Sequence, residues 1–427
     1  MHKFISNMAC ALPGIAALLA APAALATDTS FSGFGTIGYA RSNQPYNYQR
    51  FIDNSGTFQR DTVFGAQLDA NFNPEWAATV QAKLAPALNS DSRWQPVLSW
   101  AFLSYRPTND LLVRAGKLRF PFYLRSESMD VGTTYAAARM PNELYSVSPT
   151  MDFTGASFVQ TWTVGNSELD LDGYWGKSEV PWRTYTRDTA TPFWLPLEIN
   201  AEGLLLTLHQ NENTFRAGYH TADITRTDGK LFYVSLSPNV MPPPSGMSGT
   251  YYTPPGSSGQ TSKITTPAFS FAADVDLGGG FRAMGEYVRR TVKKVEIGPD
   301  TAGYYLSLLK EVNHWTPYIT YAKIISKNLT AYQAVNNARV TSLTPGTAIP
   351  AADINAKQRA AADGMTMYDQ YSWAIGTSYA IDPKNIIKAE WLIVHTGAVS
   401  SFVDAPAGEE SGKRRINVYS LSYNFVF

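Results

Sequence analysis

Side chains of one character recur at every second position along most of this chain, and that period sets its fold class. In VFGAQLDANF, Phe64, Ala66, Leu68, Ala70 and Phe72 share one face, while Gln67, Asp69 and Asn71 share the other. WAATVQAKL sets Trp76, Ala78, Val80, Ala82 and Leu84 against Thr79, Gln81 and Lys83. ELDLDGYW opposes Leu169, Leu171 and Trp175 to Glu168, Asp170 and Asp172. FRAMGEYV and IKAEWLI repeat the pattern, with Arg282, Glu286, Lys388 and Glu390 on their polar faces. Only extended backbone turns residues i, i+2 and i+4 to one side, so these are amphipathic β-strands. Beyond the N-terminal leader, no apolar run approaches the ~18–20 residues of a membrane helix.

The connections fall into two alternating classes. Short ones occur at 73–75, 107–110, 165–166, 211–213, 278–280 and 382–385. Long polar ones occupy 43–57, 87–94, 120–151, 178–197, 224–265, 292–302, 326–370 and 398–413. Short turns at one end and long loops at the other are the layout of a transmembrane, antiparallel, up-and-down β-barrel. The chain therefore reads as all-β with 16 strands. That number places LFYVSLSP (231–238) in an external loop, and 18 strands is the alternative if one run is missed. A barrel of this size encloses an aqueous channel instead of a packed core. The stretch 239–260 reads as a mobile loop of low complexity, and AADINAKQRAAAD predicts a short helix around Ala351 to Asp363.

The leader MHKFISNMACALPGIAALLAAPAALATDTS has a charged start, an apolar core and Ala24-Leu25-Ala26 ahead of Thr27. This is the pattern of a secretory signal peptide, residues 1–26, with cleavage after Ala26. Cleavage would remove the single cysteine, Cys10, so residues 27–427 must form one β-barrel domain without a disulfide. It would also remove Lys3, leaving 34 of the 35 basic residues against 35 acidic ones. This balance gives no basis for a nucleic-acid partner. Strand FSGFGTIGYA begins just after the cleavage point, which leaves no room for an N-terminal plug. Its Gly33-x-Gly35-x-x-Gly38 spacing matches a dinucleotide fingerprint but sits inside a strand pattern, where that motif has no meaning.

The last strand, INVYSLSYNFVF, carries Tyr419, Leu421, Tyr423, Phe425 and Phe427 on one face. In lipid a strand edge finds no hydrogen-bond partner, so this strand must pair with the first and close the sheet. A terminal Phe after alternating apolar residues resembles the C-terminal signature of Gram-negative outer-membrane barrels. The resemblance implies an outer-membrane location, lipid around the barrel, and recognition of this segment by the barrel-assembly machinery.

Between DLLVRAGKLRF and DFTGASFVQTW lies the long segment PFYLRSESMDVGTTYAAARMPNELYSVSPT. By strand count it follows the fifth strand, which in trimeric porins is the loop that folds into the lumen and constricts it. GKLRFPFYLRSESMDVG with MPNELYS resembles the corresponding region of porins related to the phosphate-selective family. That resemblance implies a homotrimer and a pore constriction at about 120–151. The candidate constriction residues are Arg114, Lys117, Arg119, Tyr123, Arg125, Glu127, Asp130, Tyr135, Arg139 and Glu143. Their charges are mixed, whereas a phosphate filter requires several converging cations to offset dehydration. The expectation is passive diffusion of small hydrophilic solutes with a slight preference for anions. The alternatives are a specific channel for phosphate or other oxyanions, or one for sugars stacking on Tyr123, Tyr135 and Tyr145.

An enzyme is not expected, and neither is a cofactor or a metal. Past the leader the four histidines, His209, His220, His314 and His395, are scattered without ligand spacing, and there is no nucleophile elbow. His209 and His220 flank a turn and could meet across a hairpin.

Overall fold

The computed structural model describes residues 28–148, 151–242, 245–254, 256–343 and 348–427; the leader and its cleavage point lie outside the described residues. Sixteen antiparallel strands close into one barrel. They are β1 (Asp28–Ser42), β2 (Val63–Asn71), β3 (Trp76–Pro86), β4 (Trp94–Tyr105), β5 (Leu111–Arg119), β6 (Asp152–Val164), β7 (Ser167–Thr186) and β8 (Thr191–Gln210). The second half comprises β9 (Asn213–Arg226), β10 (Lys263–Gly278), β11 (Phe281–Arg290), β12 (Thr301–Lys310), β13 (Trp315–Ser326), β14 (Tyr368–Asp382), β15 (Asn385–Ser400) and β16 (Arg415–Val426).

Each strand pairs with its sequence neighbour, and β16 returns to β1 in a register running from Phe34 opposite Val426 to Ser42 opposite Val418. No edge remains, as a lipid surround requires. Alternation decides which side chains face out. On β16, Tyr419, Leu421 and Tyr423 are exposed, while Val418, Ser420, Ser422 and Asn424 are buried inside. On β15, Ile387 and Trp391 point outward while Lys388 and Glu390 point into the barrel. The outward band includes Phe269, Phe271, Leu306 and Trp373, each at least 41% exposed. Such a surface is stable only against hydrocarbon.

The glycines of the nucleotide-like motif have a packing reason. A Cβ on Gly33 would lie 2.2 Å from the ring of Phe427, and one on Gly35 would lie 2.4 Å from that of Phe425. The rings of Phe425 and Phe427 rest on bare β1 backbone.

The loops depart from the sequence reading in part. Segment 178–197 is no loop: β7 and β8 run 20 residues each, about twice a ~10-residue span, and pair up to Thr186 opposite Thr191. In this part of the hairpin the buried positions are apolar and polar alike, Val180 and Leu197 beside Thr184 and Arg187, so the alternation that marks a strand fades. Segments 43–57 and 398–413 fold into the barrel mouth, where Tyr48, Ile52, Val403 and Ala405 pack on Val394, Ile416 and Val418. The stretch read as mobile contributes Ser237–Val240 and Met247–Thr253 to a small sheet with Val340–Ser342. The helix Ala348–Asp363 matches expectation, whereas Leu329–Asn337 adds a helix that was not foreseen.

Candidate functional site

The segment after β5 leaves the wall at Phe120, whose N–H donates to the carbonyl of Met151 (2.8 Å). Its described residues, 120–148, contact the inner face of many strands. Near its start, the N–H of Leu124 donates to Glu286 Oε2 on β11 (2.9 Å), and the hydroxyls of Tyr145 and Tyr305 donate to Glu286 Oε1 (2.9 Å each). Further on, Gly132 nestles against Asn424 and Thr36, across the closing seam. Lys388 on β15 donates to the carbonyl of Ala137 (2.8 Å) and stands 3.8 Å over the ring of Tyr135.

Nine of the ten candidates divide into anchors and lumen groups. Arg119 donates to Asp130 (2.7 Å) and Asp152 (3.0 Å), and Lys83 on β3 reaches the same Asp130 oxygen (2.6 Å). Burial would raise the Asp130 carboxyl, but Lys83 and Arg119 outweigh it and hold the group well below the usual range. Arg139 donates through Nε to Asp61 (2.8 Å) and through a terminal nitrogen to Ser420 (3.1 Å). Glu143 is buried and accepts from Gln370 Nε2 (2.8 Å); burial raises its carboxyl.

Tyr123 is fully buried, its hydroxyl donating to Leu144 O (3.1 Å) and accepting from the N–H of Ser148 (3.0 Å). Tyr135 donates to Met129 O (3.2 Å). The proposed sugar-stacking track is therefore corrected: Tyr123 and Tyr145 are buried against each other as a tilted pair with centroids 4.5 Å apart, and a Tyr135 face is covered by Lys388. A face already in contact cannot receive a pyranose ring.

Arg125, Arg114 and Glu127 stay wetter. Arg125 contacts Asp274 at 3.3 Å, and Arg114 contacts Glu127 at 3.3 Å with the Glu127 side chain 61% exposed. Lys117 has the opposite strand parity to Arg114 and forms no hydrogen bond or ion pair among the described residues. It is not brought to the cluster.

Beside this segment lies a cavity of about 420 Å³, lined by Arg114, Glu127, Asp170, Asp172 and Arg216 among others. Asp172 and Arg216 in the cavity, and Asp61, Lys83, Glu286 and Lys388 against the segment, join the ten foreseen as candidates. The signal for Lys83, Asp172, Glu286 and Lys388 was already present, since alternation puts each on the polar face of its strand. The histidines do not meet: His209 contacts Thr214 (3.2 Å), while His220 sits between Tyr174 (2.7 Å) and Ser270 (2.9 Å).

No family model matches the chain, and no curated protein matches it by sequence. The fold does match solved barrels. The outer membrane channel DcaP of Acinetobacter baumannii aligns with a TM-score of 0.51 at 11% identity, over 94% of this chain and 97% of that one. The anion-selective porin from Comamonas acidovorans aligns at 0.50 and 9% identity, over 94% and 99%. The trimer form of OmpT, an outer membrane protein of Vibrio cholerae, aligns at 0.50 and 12% identity, over 94% and 99%. At these identities the likeness is one of fold. A closed 16-strand barrel with an apolar outer band is the Gram-negative outer-membrane architecture, and this chain has it.

Proposed function

We propose that the protein is an outer-membrane channel for passive diffusion of small hydrophilic solutes, with segment 120–151 as its constriction. The observation that carries this reading is a closed barrel, apolar outside, whose interior holds a charged cavity of about 420 Å³ beside that segment. Mature residues 27–427 would reach the membrane after removal of the leader. A homotrimer is the assembly that the OmpT trimer form brings to mind for this fold.

Selectivity is weak on this reading. Arg119, Arg139 and Arg125 each contact a carboxylate, so their charge is largely neutralised and does not form an anion ladder. This favours general diffusion over phosphate selection, because a phosphate filter needs cations without acidic partners. Purified protein in planar lipid bilayers should give stepwise conductance, in threes if trimeric. Flat traces at all voltages would remove the reading.

A further inference from the structure

The large cavity contains two charges of opposite sign that the protein leaves open. Asp172 on β7 forms no hydrogen bond and no ion pair among the described residues, although it lines the cavity. In the sheet register it stands between Val159 and Leu205, with Leu112 beyond, so no neighbouring donor satisfies its carboxylate. Arg216 on β9 donates through Nε to Thr207 (3.0 Å) and through one terminal nitrogen to the carbonyl of Tyr123 (3.2 Å). Both partners are neutral, and Arg216 has no ion pair among the described residues. Its guanidinium is therefore held in place by neutral partners and keeps its charge free of a direct ion pair.

These two groups feel each other's charge but form no ion pair. Asp172 pairs with Leu205 and Arg216 with Thr207, two strands and two residues apart. At ~4.8 Å between strands and ~3.4 Å per residue, their Cα atoms are on the order of 12 Å apart. Both side chains line the same cavity of about 420 Å³ without an ion pair between them, so one small molecule there can reach both.

The surroundings decide the charge type. An anion at Arg216 would also face Asp170, Asp172 and Glu127, and a cation at Asp172 would also face Arg114 and Arg216. Only a solute carrying both signs matches both halves. The volume of about 420 Å³ is within the ~300–1,000 Å³ of small-ligand pockets. Leu112 and Val159 offer an apolar surface beside the carboxylate.

We propose that this cavity is a binding station for small zwitterions of the amino-acid type, with the solute ammonium on Asp172 and its carboxylate on Arg216. The proposal rests on the channel reading and deepens it by naming a solute class.

The test is single-channel block of the potassium chloride current at pH 7 by norvaline, pentanoate and pentylammonium, with N-acetylnorvaline and norvaline methyl ester as one-charge controls. Each charge-assisted contact should be worth about tenfold in blocking concentration, so norvaline should block at the lowest concentration and both controls should lose that advantage. Asp172→Asn should erase the advantage over pentanoate, and Arg216→Gln the advantage over pentylammonium. The controls act on the unaltered protein, so they decide the matter even if a variant does not assemble. Conducting channels that all five compounds block equally would overturn the zwitterion station and leave the channel standing. Absence of any conductance would overturn both.

Discussion

At the scale of single residues, burial separates charges that tune the lumen from charges that fix its shape. The Arg125 side chain is 29% exposed and its Asp274 contact is long, at 3.3 Å. Arg125→Glu would replace a lumen cation by a carboxylate while Arg282 still pairs with Asp274, so the reversal potential in a salt gradient should move toward cations, with the barrel intact. The Arg139 side chain is 8% exposed and its partner Asp61 only 11%. Arg139→Glu would strand a buried carboxylate, a loss of about 3–5 kcal/mol, and should lower the yield of folded barrel. That yield is read from the heat-modifiable gel shift, and a well-folded variant with unchanged reversal potential would show that Arg139 is not an anchor.

Asp130 supplies the pH dependence. Its carboxyl lies below its unfolded value, so its ion pairs contribute fully above about pH 4 and fail only as the pH falls through the depressed value. The Asp130 anchor should therefore contribute no change in open-channel noise from pH 7 down to about 4, and a change in that range belongs to Glu143, whose buried carboxyl is raised. Asp130→Asn, which weakens the hold of Lys83 and Arg119 on the segment, should be noisier throughout that range.

At the scale of elements, the tall hairpin of β7 and β8 is the brace for the external loops. Arg183 bonds both Asp91 and Asp404, at 2.9 and 2.6 Å. Arg187 bonds Asp363 at the end of the helix Ala348–Asp363, and also Glu410 and Asn336. Three loops far apart in sequence thus converge on two arginines. The Asp363 side chain is 6% exposed, so Arg187→Ala leaves a buried charge unpaired. Trypsin should then cut at Lys357 or Arg359 several-fold faster in the folded protein, and an unchanged cleavage rate would show that the brace carries no load.

These elements also mark what the sequence can disclose. Strands in lipid are legible because water and hydrocarbon on opposite faces impose the two-residue period, which is why Lys388 and Trp391 could be assigned to opposite faces. Where buried positions are apolar and polar alike, as Val180, Thr184 and Arg187 are in 178–197, the period vanishes and a strand reads as a loop. The anchors were less legible for another reason: Lys83 and Asp130, or Arg139 and Asp61, are joined by the closing of the sheet and by nothing in local spacing. Tyr123 illustrates the same limit, since an aromatic that stacks on solute and one that packs a segment have the same sequence signature.

At the scale of the whole molecule, everything depends on the seam between β1 and β16. Gly33 and Phe427 exchange both backbone hydrogen bonds, at 3.1 and 3.0 Å, and the ring of Phe427 lies across the space where a Gly33 side chain would stand. Phe425 covers Gly35 in the same way and reaches Phe64 on β2, with centroids 6.5 Å apart. The seam is therefore a pair of aromatic rings fitted onto bare backbone, and two different lesions should break it. Gly35→Val keeps the strand's β-propensity but drives a side chain into the Phe425 ring. Phe427→Ala leaves the glycine uncovered and removes the apolar area that holds the last turn of the seam against lipid. Loss of a ring of this size costs about 3–5 kcal/mol where it is well packed, less at a strand end. Both variants should slow refolding into detergent micelles, with Gly35→Val the slower because it opposes pairing instead of merely weakening it. Restoring space by Gly35→Val with Phe425→Ala should recover part of the rate. If the double variant folds no faster than Gly35→Val alone, the ring-on-glycine fit is not what closes the barrel.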